Sequence, residues 1–182
     1  MNTADDHLAR AADAKREGRF AAASDSLLRA IQLLRQENDS AALAHALRNL
    51  GEVQRSLPGS DGGIAAYNEA IAIFRQHSAP LKLAHTIRHL GDIYRHAGDF
   101  DQATRCYDEA LSIYRSDADT LPLDLANALR SSALLKEKTG DEQQAMTLWE
   151  EARNLYVAAN IETGAAEGSH RLARLNRESK QE

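Results

Sequence analysis

Valine, cysteine and proline are scarce in this chain. Val53 and Val157 are the only valines among 182 residues, so the residues that favour strands are thin on the ground. Three prolines and ten glycines interrupt a sequence dominated by Ala, Leu, Arg, Glu and Gln, which are good helix formers. That balance predicts an all-α protein. Cys106 is the sole cysteine, which excludes an internal disulfide and a thiolate zinc cluster, and no oxidising compartment is needed. Long apolar runs are also missing, so a membrane span is not expected. Met1 to Arg10 lacks the apolar core of a signal peptide. These features predict a soluble, cytoplasmic protein without a membrane partner. A net charge of −5 argues against nucleic acid as the partner. At 43% hydrophobic residues, the chain has enough apolar material for a core.

What is present is a repeat. Leu43-Ala-His-Ala-Leu-Arg-Asn-Leu-Gly51, Leu83-Ala-His-Thr-Ile-Arg-His-Leu-Gly91 and Leu125-Ala-Asn-Ala-Leu-Arg-Ser-Ser-Ala133 align at steps of 40 and 42 residues. A second series, Ala30, Ala70, Ala110 and Ala152, recurs at steps of 40, 40 and 42. Three residues before each of these alanines stands Leu27, Tyr67, Tyr107 or Trp149. Twelve residues separate the small residue of the first series from that of the next helix: Ala11 to Ala23, Gly51 to Gly63, Gly91 to Ala103, Ala133 to Ala145. The spacing predicts helix pairs whose small residues permit close approach and whose aromatics fill the remaining space.

Predicted helices run near 4–17, 20–37, 41–56, 62–77, 80–97, 100–117, 122–139, 142–159 and 164–178. Gly98 and Gly140 end first helices. Asp99 with Gln102, and Asp141 with Gln144, read as capping boxes. Pro80 and Pro122 fit first helical turns. The stretch from Pro58 to Gly63 predicts a looser turn inside the second repeat.

These residues resemble the tetratricopeptide repeat. The third repeat carries Ile87, Leu90-Gly91, Tyr94, Ala103, Tyr107 and Ala110, close to the family pattern, while the others depart from it, with Gln54 and Lys136 at the position of Tyr94. The 40- to 42-residue period is similar to that of kinesin light chain repeats. The resemblance implies a right-handed α-solenoid of about four helix pairs plus a C-terminal capping helix. It would form one superhelical domain over 1–182, with repeats at 1–39, 40–79, 80–120 and 121–162 and the cap at 163–182. It implies a binding scaffold with no catalytic activity and no cofactor.

The resemblance also implies that the first helices line a groove for a protein or peptide. The groove positions are His45, Arg48, Asn49, Glu52 and Arg55 in the second repeat. The third contributes His85, Arg88, His89, Asp92, Arg95 and His96; the fourth Asn127, Arg130, Ser131 and Lys138; the cap His170. Arg48, Arg88 and Arg130 share one repeat position, which predicts a cationic ladder for an acidic segment. The bland alternative is helix-surface decoration by Arg48–Glu52 and Arg88–Asp92 pairs at i, i+4. Glu52 and Ser131 stand where a clamp for chaperone tails would need Asn and a cation, so that ligand is not expected.

His85 and His89, four apart with Asp92 beyond, have the spacing of two metal ligands but no further ligand, so they read as groove histidines titrating near pH 6, with no metal. Cys106 reads as a buried, inert thiol and Trp149 as core. No nucleophile turn or phosphate loop is present, since Gly59 to Gly63 lacks the completing Lys. An alternative function is self-assembly into a homodimer through exposed end helices.

Overall fold

The computed structural model describes residues 3–57 and 63–178. Among them the chain folds as nine α-helices and no strand: α1 (Ala4–Arg16), α2 (Phe20–Glu37), α3 (Ser40–Gln54), α4 (Ile64–Gln76), α5 (Pro80–Ala97), α6 (Phe100–Ser116), α7 (Pro122–Thr139), α8 (Glu142–Ala158) and α9 (Glu162–Glu178). The all-α expectation holds, with helix ends displaced by two residues at most. Most of the stretch from Pro58 to Gly63, for which a looser turn is expected, lies outside the described residues.

Local signals account for the helix ends. Asp39, Asp99 and Asp141 each accept a hydrogen bond from the backbone N–H three residues on, at 2.9, 3.1 and 3.2 Å. The Gln102 and Gln144 side chains do not reach back in the described contacts, so Asp99 and Asp141 act as single caps rather than the expected boxes. The reciprocal box is at α1 instead, where Thr3 N–H donates to Asp6 at 2.9 Å and Asp6 N–H donates to Thr3 Oγ1 at 3.2 Å. Pro80 opens α5 and Pro122 opens α7. Gly140 ends α7 at φ +78°, a conformation that favours glycine.

The chain divides into two compact units, Met1–Ile93 and Tyr94–Glu182, with the boundary inside α5. In the N-terminal unit α1 packs on α2, α2 on α3 and α3 on α4. The repeated small residues sit where helices meet: Ala23, Ala30 and Ala70 have no solvent exposure. Gly51 faces the Tyr67 ring so closely that a Cβ there would lie 2.8 Å from ring carbons. Gly63, at φ +80°, faces the backbone of Gly51 itself. Arg35 on α2 grips Glu69 on α4 through two hydrogen bonds of 2.7 and 2.8 Å.

In the C-terminal unit α6 packs on α7, α7 on α8 and α8 on α9. One core cluster joins Ala103, Tyr107 and Leu135. A second joins Ala133, Ala145 and Trp149 to Leu172 and Leu175 of α9. The final helix therefore docks through Leu172 and Leu175. Its Gly164 lies so close to the Tyr156 ring that a Cβ there would come within 2.6 Å of ring carbons. Arg115 on α6 and Glu151 on α8 repeat the tie seen at Arg35 and Glu69, at 2.7 Å.

Candidate functional site

In the N-terminal unit, the first helices α3 and α5 bring most of the expected groove residues together. Arg48 is half-buried. Its Nη2 donates to Asn49 Oδ1 at 3.0 Å, and its Nε is buried without an acceptor. The expected partner Glu52 turns the other way and binds Lys15 on α1 at 2.7 Å. Among the described residues no carboxylate lies within ion-pair distance of Arg48. The decoration reading thus fails at this position.

Arg88 does pair within its helix, with Asp92 at 3.6 Å. Asp92 also faces Arg55, at 3.9 Å, and His89 Nδ1, at 3.7 Å. The imidazole of His89 is surrounded by donors. Arg88 Nη2 is 3.0 Å from its Nε2, His85 Nε2 is 3.2 Å from the same atom, and Arg55 Nη1 is 3.4 Å from its Nδ1. Its ring stacks on Tyr67, with centroids 6.4 Å apart. Burial, then Arg88, His85, Arg55 and Arg48, push its pKa down to about 2. His89 is therefore neutral at pH 6, which corrects the expectation of a titrating groove histidine. The pair His85–His89 is occupied with its own hydrogen bond. No group of three or more His, Cys, Asp or Glu side chains among the described residues is arranged to hold a metal ion.

A neutral imidazole has one lone-pair nitrogen. Arg88 at Nε2 and Arg55 at Nδ1 cannot both donate to it in one tautomer. The Nε atoms of Arg48 and Arg88 are buried and unpartnered as well. The cluster is thus rich in donors, and Asp92 is the carboxylate that Arg55, Arg88 and His89 share. His45 lies at its edge, against Phe74 at 5.4 Å, and its pKa is lowered by burial, Lys82 and Arg48. Alongside, α1 and α3 enclose a groove of about 650 Å³, walled by Leu8, Ala11 and Val53 and edged by Lys15, His45 and Asn49.

In the C-terminal unit the expected groove residues are mostly committed. Arg130 binds Glu167 of α9 through bonds of 2.6 and 3.1 Å. Asn127 accepts from the Tyr156 hydroxyl at 2.8 Å. Ser131 is buried at 3% exposure, so it lines the interior and not the groove surface. Arg95 Nε donates to the Tyr107 hydroxyl at 3.2 Å, and its Nη2 lies 3.0 Å from His96 Nε2. Lys138 and His170 are exposed. Cys106 is buried, and burial, Glu109 and Asp99 raise its pKa to about 11, so its thiol is inert at neutral pH.

One assembly escaped the sequence reading. Glu137, 9% exposed, accepts from Trp149 Nε1 at 2.6 Å, from Arg171 at 3.0 Å and from Arg174. Arg171 and Arg174 are half-buried and bound to α7.

Helix pairs with small residues at their contacts, aromatics at fixed intervals and a basic first-helix face define a helical repeat protein built for contact with other molecules. The tetratricopeptide repeat family model matches residues 59–116 and 82–158, together more than half of the chain, and the protein belongs to that family. No curated protein sequence matches it. Its fold is similar to BtubC (BKLC) from P. vanneervenii, at TM-score 0.79 and 21% identity over 87% of this chain and 65% of that one. It is also similar to a signal transduction ATPase with numerous domains from Pyrococcus horikoshii, which carries a tetratricopeptide repeat sensor. There the TM-score is 0.83 and the identity 16%, over 93% of this chain and 26% of the other. A kinesin light chain protein of nearly identical TPR-like repeats from Podosopora anserina gives a TM-score of 0.77 at 14% identity, over 96% and 85% of the two chains. The chain thus spans under two thirds of the first two of these proteins. At these identities the likeness defines the fold, an α-solenoid of tetratricopeptide type. Among the described residues, no helix is long and apolar enough to cross a membrane.

Proposed function

We infer that this chain, like tetratricopeptide repeats generally, serves as a protein-binding scaffold. We propose that this chain holds an acidic segment of a protein partner against the α3–α5 face of its N-terminal unit, and that it does so without catalysing a reaction. One observation carries the reading: Arg48, half-buried, has no carboxylate within reach among the described residues, in a cluster whose donors outnumber its acceptors. A carboxylate from a partner would supply the missing acceptor for Arg48 and for whichever of Arg55 and Arg88 the His89 tautomer leaves unused. The neighbouring groove of about 650 Å³ offers apolar contact to the same segment.

Exposed ion pairs contribute only ~0–1 kcal/mol each, so charge alone gives weak binding. A few such contacts with apolar burial fit a micromolar complex, roughly −8 kcal/mol. The test is fluorescence anisotropy with acidic and basic peptides of equal length, at low and high salt. Acidic peptides should bind more tightly, and the preference should fade as the Debye length shrinks from ~10 Å at 0.1 M to ~3 Å at 1 M. Arg48→Glu with Arg55→Glu should abolish it. Equal affinity for both peptides would refute the proposal.

A further inference from the structure

The C-terminal unit contains a basic feature of its own. A cleft of about 480 Å³ is lined by Arg95 from α5, Leu134, Glu137 and Lys138 from α7, and Arg171 and Arg174 from α9. Four of its six lining residues are cationic and one is acidic. We propose that this cleft binds a phosphoryl group, as a free phosphate compound or as a phosphorylated side chain.

The argument starts at Glu137. Its Oε1 is taken by the Trp149 indole N–H. Its Oε2 is shared by two guanidiniums, Arg171 through Nη1 and Arg174 through Nη2. One carboxylate oxygen thus holds two positive side chains beside each other. Glu167 lies 3.9 Å from Arg171 and Glu178 lies 3.2 Å from Arg174 Nη1, both outside the cleft lining. Arg171 is braced further by the Trp149 ring, 5.9 Å from its guanidinium carbon. The guanidiniums are therefore fixed by the fold before any ligand arrives, which lowers the ordering cost of binding. Lys138 stands exposed on the cleft wall with no ion-pair partner among the described residues.

The class of ligand follows from charge and shape. A carboxylate carries one charge and two oxygens, too few for this set. A phosphate monoester carries close to two charges at neutral pH and three terminal oxygens. Those oxygens can accept at once from Arg171, whose Nη2 has Glu167 only at 3.9 Å, and from the Lys138 ammonium. A volume of about 480 Å³ admits the phosphoryl group with part of its carrier. The proposal is independent of the acidic-segment reading, because it uses none of the N-terminal residues.

Isothermal titration calorimetry at constant ionic strength, set with chloride, tests it with three probes on the full chain. These are inorganic phosphate, pyrophosphate, and a phosphoserine peptide beside its unphosphorylated form. Saturable binding of phosphate or pyrophosphate identifies a free phosphate compound as the ligand; binding of the phosphopeptide alone identifies a modified protein. Lys138→Glu should weaken that binding at least tenfold while the melting temperature stays unchanged. Arg29→Glu, the same charge change on α2, and Arg48→Glu should leave it as it was. Absence of saturable binding by all three probes overturns the proposal, as does equal affinity of wild type and Lys138→Glu.

Discussion

The indole of Trp149 donates a 2.6 Å hydrogen bond to Glu137, twelve residues before it in the chain. Arg95 and Tyr107, also twelve apart, make the same kind of contact at 3.2 Å. In both cases the residue four positions after the small residue of a first helix meets the aromatic of the following helix. The third and fourth repeats thus place a polar latch over the buried ring as well as the apolar contact beneath it, whereas the Tyr67 hydroxyl of the second is buried without one. A buried indole N–H needs such a partner, since leaving it unsatisfied costs about 1–3 kcal/mol.

Glu137 does more than satisfy the indole, because Arg171 and Arg174 tie α9 to the same carboxylate. Glu137→Ala is expected to destabilise the protein by about 3 kcal/mol, leaving a buried N–H without its acceptor and two partly buried guanidiniums with one carboxylate fewer. Glu137→Gln should recover part of that loss, since its amide oxygen still accepts. Urea denaturation measures the cost, and hydrogen exchange over residues 162–178 locates it. An unchanged midpoint with unaltered exchange in α9 would show that Leu172 and Leu175 dock the helix unaided.

Gly51 sits under the Tyr67 ring, and a Cβ there would come within 2.8 Å of ring carbons. Alanine is the better helix former by about 1 kcal/mol, so an exposed site would gain from the change. Here the ring is fully buried and the backbone of Gly63 approaches from beside it, so neither neighbour has room to yield. Gly51→Ala is expected to cost about 1–3 kcal/mol net of propensity. A melting temperature equal to or above that of wild type would refute the close-approach account.

Much of the fold was legible because two independent periodicities, the small residues and the aromatics, keep one register through four repeats. Packing at Ala30, Ala70, Ala110 and Ala152 demands that register, and all four are fully buried. The charge partnerships were not legible from spacing within a helix. Lys15–Glu52, Arg55–Asp92, Arg130–Glu167 and Glu137–Arg174 all link residues thirty-seven apart on successive first helices. That offset is one repeat less about one helical turn, and only stacked helices bring such residues together. A scan for opposite charges at this offset would have found Glu167 as the partner of Arg130. Reading i, i+4 pairs alone assigned Glu52 to Arg48, whereas Lys15 holds it. Ser131 was misplaced because a small hydroxyl residue carries little information about which face of a helix it occupies.

His89 links the site to pH. Its usual pKa near 6.5 applies in the unfolded chain, and about 2 applies in the fold, where burial, Arg88, His85, Arg55 and Arg48 oppose its charging. Below pH 6.5 the unfolded state therefore binds a proton that the folded state refuses. Stability falls as pH falls through the window from about 6.5 towards 2, and it is fully present above that window. Between pH 7 and pH 5 the loss attributable to His89 is about 2 kcal/mol. His89→Gln should be less acid-sensitive than wild type by that amount, measured by urea unfolding at both values. Parallel pH dependences in the two proteins would show that His89 titrates normally in the fold.

Arg48 and Arg130 occupy the same repeat position but differ in company. Arg130 is bound at both ends of its fork by Glu167, and Arg48 meets only the Asn49 amide oxygen among its described side-chain partners. Substitution should therefore separate binding from stability. Arg48→Glu removes no ion pair, so it should shift stability by less than about 1 kcal/mol. It should nevertheless weaken an acidic peptide at least fivefold, near the upper end of the ~0–1 kcal/mol of one exposed contact, since a lost attraction becomes a repulsion. Arg130→Glu places two carboxylates together at the α7–α9 contact, so it should lower the melting temperature and change peptide affinity little. Anisotropy titrations paired with thermal unfolding of both variants read the two effects separately. If Arg130→Glu lost affinity as strongly as Arg48→Glu while remaining folded, binding would draw on the whole cationic series, and the absence of a carboxylate beside Arg48 would not be what selects the partner.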